Sequence, residues 1–205
     1  MKLYLLRHGQ TQRNIKSNEF VGQSPIEPLT ELGKKQAELL GIRFKKENIS
    51  FKEIYCSPYT RALDTCNIAC SQFTDQKPII VDELREYSTG EATDKSRPEV
   101  FTFEALNEMN ELGMHFSHKG GESLYTVEQR ASKWLFSVME KYKNTDAKIA
   151  AFSHGMTIKC LIHFIMEFDQ KMTWRLSLDN TAISLFDFKF GCWFVKSIND
   201  TAHLE

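Results

Sequence analysis

The chain has 205 residues, 41% of them hydrophobic, enough for one well-filled core without forcing a second domain. With 26 basic against 27 acidic residues, a net charge of -1, it offers no broad electrostatic footprint for nucleic acid or an anionic membrane, so any anion specificity must be local. No apolar run approaches the roughly 20 residues that span a bilayer, and five cysteines, with Met1-Lys2 opening directly onto a strand rather than a leader, fit a reducing cytoplasm.

Lys2 to Leu6 predicts a first strand that ends abruptly in Arg7-His8-Gly9 and polar turn formers. In an open α/β sheet, ligands sit beyond the carboxyl ends of the strands, so Arg7 and His8 are delivered to a binding crevice. Arginine offers a charged fork that matches phosphate oxygens, and a neutral imidazole attacks phosphorus through one ring nitrogen when the other is tied to a carbonyl. The blander alternative is an Arg-His pair that only solvates the sheet edge. Gly9 permits a sharp turn, and Asn14 lies within reach of the same crevice if that turn is tight.

Gln12 to Glu27 predicts a polar, proline-containing loop over this site. Thr30 then caps a helix in which Leu32, Gln36, Leu39, Leu40 and Phe44 fall at amphipathic spacing until Glu47-Asn48. Phe51 to Cys56 predicts a second strand, and Ser57-Pro58 a helix start with serine as N-cap and proline at the first helical position. Arg61 falls in that helix's first turn, beside its positive end. Cys56 and Arg61 have four residues between them, one fewer than the Cys-Arg loop of tyrosine phosphatases needs, so Cys56 is expected to be a buried strand-end residue. Cys66 and Cys70, one turn apart, are expected to be small core residues.

Pro78 to Val81 predicts a short third strand, followed by Leu84-Arg85-Glu86-Tyr87-Ser88-Thr89-Gly90. A carboxyl group there could deliver a proton to a departing alkoxide; Glu83 and Glu86 both lie in reach of that role, and either could instead be a loop glutamate paired with a nearby arginine. Arg97 to His118 predicts irregular helix packing through Phe101, Phe103, Leu106, Met109 and Leu112, a lid-like insertion over about 91–119. His115 and His118 lack a third metal ligand nearby and are expected at the surface. Gly120-Gly121-Glu122-Ser123 introduces a long helix to Tyr142. Lys148 to Phe152 predicts a buried parallel strand ending in Ser153-His154-Gly155, followed by a helix from Met156 to Phe168. A second strand thus brings a histidine to the same edge. Ala182 to Phe188 and Cys192 to Ile198 predict a closing hairpin.

Five ordered blocks resemble the histidine phosphatase superfamily, which includes phosphoglycerate mutases and broad-specificity phosphatases. They are Leu6-Arg7-His8-Gly9-x-Thr11-x-x-Asn14; Pro28-Leu29-Thr30-x-x-Gly33-x-x-Gln36-Ala37; Ser57-Pro58-x-x-Arg61-Ala62-x-x-Thr65; Leu84-x-Glu86-x-x-x-Gly90; and Ser153-His154-Gly155, with the Gly120 and His203 regions also similar. The resemblance implies one domain over 1–205, a three-layer α/β/α sandwich with a mostly parallel central sheet. It also implies phosphoryl transfer without a cofactor or metal: His8 becomes the phosphohistidine, Glu86 acts as general acid and base, and Arg7, Asn14, Arg61, His154 and Gly155 bind the phosphate. Where the family's phosphatases often have Trp-Glu-Gly after the Gly90 position, this chain has Glu91-Ala92-Thr93, which puts the pocket shape in question but not the chemistry. The expected substrate is a small phosphorylated metabolite, with neither nucleic acid nor membrane as partner. Monomer and homodimer both stay open. A phosphatase is expected, with a mutase as the alternative and a non-catalytic phospho-ligand binder behind it. The 154 − 86 = 68 positions from Glu86 to His154 resemble the compact phosphatases rather than the longer mutases.

Overall fold

A computed structural model describes residues 1–15 and 24–205. Six strands, β1 (Lys2–Arg7), β2 (Glu53–Cys56), β3 (Ile79–Ile80), β4 (Lys148–Ser153), β5 (Ile183–Lys189) and β6 (Cys192–Asp200), form one mixed sheet in the order β3-β2-β4-β1-β5-β6. The first four run parallel, while β5 and β6 close the sheet antiparallel. Register sets the site: Arg7 pairs with Ser153 and Cys56 with Phe152. The carboxyl ends of β1, β2 and β4 therefore lie level to within one residue, and His8, Ser57 and His154 each emerge one step beyond its strand.

The helices are α1 (Gln12–Ile15), α2 (Glu31–Lys46), α3 (Thr60–Cys70), α4 (Arg97–Val100), α5 (Phe103–Leu112), α6 (Leu124–Tyr142), α7 (Gly155–Met166) and α8 (Met172–Arg175). Alternation along β1 divides the core in two. Leu3 and Leu5 pack with Leu135 and Val138 of α6 and Leu161 and Ile162 of α7; Tyr4 and Leu6 pack with Leu40 and Phe44 of α2 and Ala62 and Cys66 of α3. Each sheet face is thus covered by helices, giving the three expected layers. Tyr4, Phe44, Phe51 and Phe73 add edge-to-face ring contacts at 5.2 to 6.3 Å on the α2 side.

Several expectations need correction. The buried stripe of α2 is Gly33, Ala37, Leu40, Gly41 and Phe44, whereas Leu32 is 53% exposed. Apolar spacing overlooks glycine, which here permits backbone contact. A Cβ on Gly33 would lie 2.1 Å from the Gln10 carbonyl oxygen, and one on Gly41 2.1 Å from that of Ala69. The α3 helix starts at Thr60 with Tyr59 as N-cap, not with Ser57 as cap and Pro58 at its first position: the first helical bond runs from the Leu63 amide to the Tyr59 carbonyl at 3.0 Å. Phe103, Leu106 and Leu112 are exposed and α5 buries nothing fully; Val100, Met114 and Phe116 supply the buried apolar side chains of that segment instead. Of the Gln12–Glu27 loop, the first residues form α1, and 16–23 lie outside the described residues. Cys66 and Cys70 are buried with their sulfurs 3.9 Å apart, as core residues.

The Gly33 contact yields a testable consequence. Alanine is the better helix former by about 1 kcal/mol, but its methyl would have to displace the Gln10 backbone, and overpacking of this kind costs about 1–3 kcal/mol. Gly33→Ala should lower the melting temperature and, because Gln10 adjoins His8-Gly9, lower activity as well. An unchanged or raised melting temperature contradicts the close packing.

Candidate active site

His8 follows β1, is buried, and points Nδ1 at the Gly9 carbonyl oxygen at 2.7 Å. That contact makes Nδ1 the protonated nitrogen and leaves Nε2 with its lone pair. Burial, and after it the charges of Arg61 and Arg7, hold the imidazole well below its usual range. The ring is therefore neutral, as a nucleophile requires. The turn behind it is pinned from three sides. Thr65 Oγ1 accepts the Gly9 amide at 2.9 Å, Asn180 Nδ2 donates to the His8 carbonyl at 3.0 Å, and the Thr181 amide donates to that carbonyl at 3.2 Å. Thr181 itself adopts φ +58°, rare for a β-branched residue, and is braced by its hydroxyl against His203 Nε2 at 2.9 Å.

His154, one step beyond β4, lies with its ring centroid 5.3 Å from that of His8. Ser57 Oγ accepts the Tyr59 amide at 3.3 Å and lies 2.7 Å from His154 Nε2, where its hydroxyl hydrogen finds an acceptor if Nε2 is the unprotonated nitrogen. His154 Nδ1 then carries hydrogen, is buried, and meets no partner among the described residues; the same holds for Arg7 Nε. Burial, then Arg61 and His8, keep His154 neutral as well. The result is one imidazole offering a lone pair and its neighbour offering a hydrogen.

Two guanidinium groups, that of Arg7 half-buried and that of Arg61 buried, flank the rings. Arg7 ends β1 and donates through Nη1 to the Leu178 carbonyl. Arg61, in the first turn of α3, donates to the Ser24 carbonyl at 2.6 Å and lies 5.5 Å from the Tyr59 ring. Burial lowers the pKa of both, and the Glu86 charge opposes that shift in each case. Arg61 is 4% exposed, its guanidinium turned inward.

Glu86 is buried beside the amino end of α7. Its Oε1 accepts the Tyr87 and Thr157 amides at 3.0 and 3.2 Å and the Thr157 hydroxyl at 3.3 Å, while Oε2 accepts the Met156 amide at 3.1 Å. A Cβ built on Gly155 would lie 3.5 Å from Arg7 Nε and 4.0 Å from Glu86 Oε2, so these three converge. Gly155 is also the first residue of α7, where amides face outward to an anion. Asn14 stands exposed on α1; its Oδ1 takes the Thr11 amide at 3.0 Å and Asn180 Nδ2 at 3.1 Å, which links it to the His8 backbone.

Arg7, His8, Arg61, Glu86, His154 and Gly155 thus meet at one sheet edge, with Asn14 tied in through Asn180. Sequence reasoning missed Asn180, Ser57 as a histidine partner, and Thr157. Of these, only Ser57 carried a signal, its place at a level strand end. Cys56 is buried at the end of β2 with its thiol directed to the Ser57 carbonyl. His115 is exposed and its ring lies 4.5 Å from that of Tyr125. The described residues contain no helix long and apolar enough to cross a membrane.

Three buried or half-buried histidines make stability depend on pH. His203 is depressed to about 4 by burial, then by Arg43, and His8 and His154 lie well below 6.5. A depressed folded pKa means that the unfolded chain binds more protons as pH falls, so this stability is complete above about 6.5 and lost below it. The melting temperature should fall by on the order of 10 °C between pH 7 and pH 5. A flat thermal-melt profile over that window contradicts the neutral burial of these rings.

The histidine phosphatase superfamily (branch 1) model matches residues 3–201. A Yersinia pestis protein named probable phosphoglycerate mutase GpmB is 29% identical, the match covering 100% of this chain and 95% of the relative. Among solved structures, the phosphoserine phosphatase of Entamoeba histolytica in complex with phosphoserine superposes with a TM-score of 0.86 at 25% identity, over 100% of this chain and 99% of that one. YhfR of Bacillus stearothermophilus gives a TM-score of 0.84 at 25% identity with the same coverage.

Proposed function

This chain belongs to the histidine phosphatase superfamily, and from that membership we propose that it hydrolyses phosphomonoesters of small metabolites through a phosphohistidine on His8. The observation that carries this reading is the pair of buried rings 5.3 Å apart, His8 with Nδ1 against the Gly9 carbonyl and Nε2 left over, His154 with Nε2 against Ser57 and Nδ1 left over, between two inward-turned arginines. His8 Nε2 attacks phosphorus, forming the N–P bond as the P–O bond to the alcohol breaks. Arg7, Arg61, His154 Nδ1 and the amino end of α7 at Gly155 stabilise the charge on the equatorial oxygens, with Asn14 at the rim. Glu86 Oε2 protonates the leaving alkoxide, then takes a proton from the water that cleaves the N–P bond and returns His8 to its neutral form. Removing one such preorganised donor typically costs on the order of 10²- to 10³-fold in rate.

Hydrolysis is favoured over a mutase by the 68-position spacing and by the phosphatase named among the structural neighbours. The phosphoserine and 3-phosphoglyceric acid bound by the Entamoeba enzyme make phosphorylated small acids the first compounds to assay. The mutase is the second reading because of the Yersinia relative's name. Phosphate release from a panel of phosphorylated metabolites, run beside transfer between phosphoglycerates, separates the two.

Because histidine and arginine supply nucleophile and charge, activity should survive a chelator and iodoacetamide and be inhibited by vanadate. Of the five cysteines only Cys192 is exposed, and Cys56→Ser should leave turnover nearly intact. Activity lost to chelator and restored by a divalent ion contradicts this mechanism.

A further inference from the structure

Residues 85–89, which carry Glu86, belong to no helix or strand. Their placement comes from elsewhere in the chain: the Thr157 hydroxyl donates to the Arg85 carbonyl at 2.6 Å, and two charged side chains outside the group that surrounds the phosphate hold the segment on either side of Glu86. Arg130, on α6, donates through Nη1 to the carbonyls of Glu83 at 2.7 Å and Arg85 at 2.9 Å. Its Nε and Nη2 grip Glu122 at 2.8 and 3.2 Å in a two-pronged contact. Glu122 in turn accepts the Ser88 amide at 3.0 Å and Arg85 Nη2 at 3.0 Å, and its own amide donates to the Ser88 carbonyl at 2.8 Å. The segment is held just before Glu86 by Arg130 and just after it by Glu122.

We propose that Arg130 and Glu122 form a buried clamp that positions Glu86 for proton transfer, an inference that rests on the phosphatase reading above. Both side chains are nearly buried, at 11% and 13% exposure. Burial alone would push the Glu122 carboxyl up, but the hydrogen bonds and charge of Arg130 hold it below the usual carboxylate range, so the pair stays ionised. An ionised, fully bonded pair accepts few alternative geometries, because slipping either partner leaves a buried charge unmatched. Arginine is specifically required: its planar fork serves two carbonyls and a carboxylate at once, which a lysine ammonium cannot reproduce.

A positioning role and a purely structural one differ in what they disturb. Misplacing a proton donor by about 1 Å can cost on the order of 10²-fold, yet only for leaving groups that need the proton. Arg130→Lys and Glu122→Gln should therefore slow phosphoenzyme formation from alkyl phosphates by about 10²-fold while changing nitrophenyl phosphate little, with KM nearly unchanged. Adding Glu86→Gln to either variant should cost almost nothing more, since the clamp then has no donor to position. The experiment is rapid-quench formation of phosphoenzyme from both ester classes, on variants whose folding is checked by circular dichroism. Equal losses on both classes, no loss on either, additive losses with Glu86→Gln, or failure of both clamp variants to fold each overturn the clamp. If wild-type enzyme forms no phosphoenzyme, or Glu86→Gln shows no leaving-group preference, the phosphatase reading has failed instead.

Discussion

His8→Ala should abolish turnover, with a loss on the order of 10⁴- to 10⁶-fold, the range found when a covalent nucleophile or its base is removed. The geometry makes the expectation specific. His8 Nε2 is the ring nitrogen placed to attack, since Nδ1 faces the Gly9 carbonyl, whereas His154 Nε2 is engaged by Ser57. The arginines do not depend on the His8 ring for their placement: Arg7 is anchored on Leu178 and Arg61 on Ser24. The variant should therefore fold, bind phosphate esters and form no phosphohistidine. His154→Ala should slow both half-reactions while still allowing the phosphoenzyme to be trapped. The opposite pattern, with phosphoenzyme trapped on His8→Ala but not on His154→Ala, exchanges the two roles. Activity that survives in His8→Ala and disappears in Cys56→Ser places the nucleophile on sulfur and removes the histidine mechanism altogether.

The chemistry-bearing residues were legible because they sit at the ends of apolar runs. Arg7-His8-Gly9 and Ser153-His154-Gly155 each follow a strand whose burial shows in its composition, and parallel pairing then makes the two histidines neighbours. Arg61 was legible from its place at the start of a helix, even though the cap itself was misread at Ser57, whose hydroxyl is drawn to His154, 97 positions away. Contacts of that range leave no local trace. Asn180 reaches Asn14 across 166 positions, and Arg130 reaches the Glu83 and Arg85 carbonyls from a helix in which it reads as one more residue at helical spacing. Gly41 and the packing role of Gly33 escaped for a different reason, since periodicity counts apolar side chains and close backbone contact depends on having none. Phe103, Leu106 and Leu112 misled in the opposite direction, being apolar at helical spacing on a helix that buries nothing fully.

Glu86→Gln should divide substrates by their leaving group. An alkoxide must be protonated as its P–O bond breaks, whereas nitrophenolate departs unaided, so loss of a general acid, worth typically 10²- to 10⁴-fold, falls almost wholly on alkyl phosphates. Glutamine keeps the shape of the side chain, and its oxygen at the Oε1 position can still accept the Tyr87 and Thr157 amides, so that only the Met156 amide loses its acceptor. With the aryl ester, formation of the phosphoenzyme should continue while its hydrolysis slows, because the carboxylate that activates water is gone; the variant should accumulate phosphohistidine. Glu83, the rival in sequence, contributes its backbone carbonyl to Arg130 and is only partly buried, whereas Glu86 Oε2 lies beside Gly155 and the Arg7 guanidinium. Glu83→Gln should therefore leave both ester classes alike. Rapid-quench measurement of the two half-reactions in the two variants decides between them: equal losses on alkyl and aryl esters in Glu86→Gln, or a leaving-group preference confined to Glu83→Gln, assigns the proton to a different group.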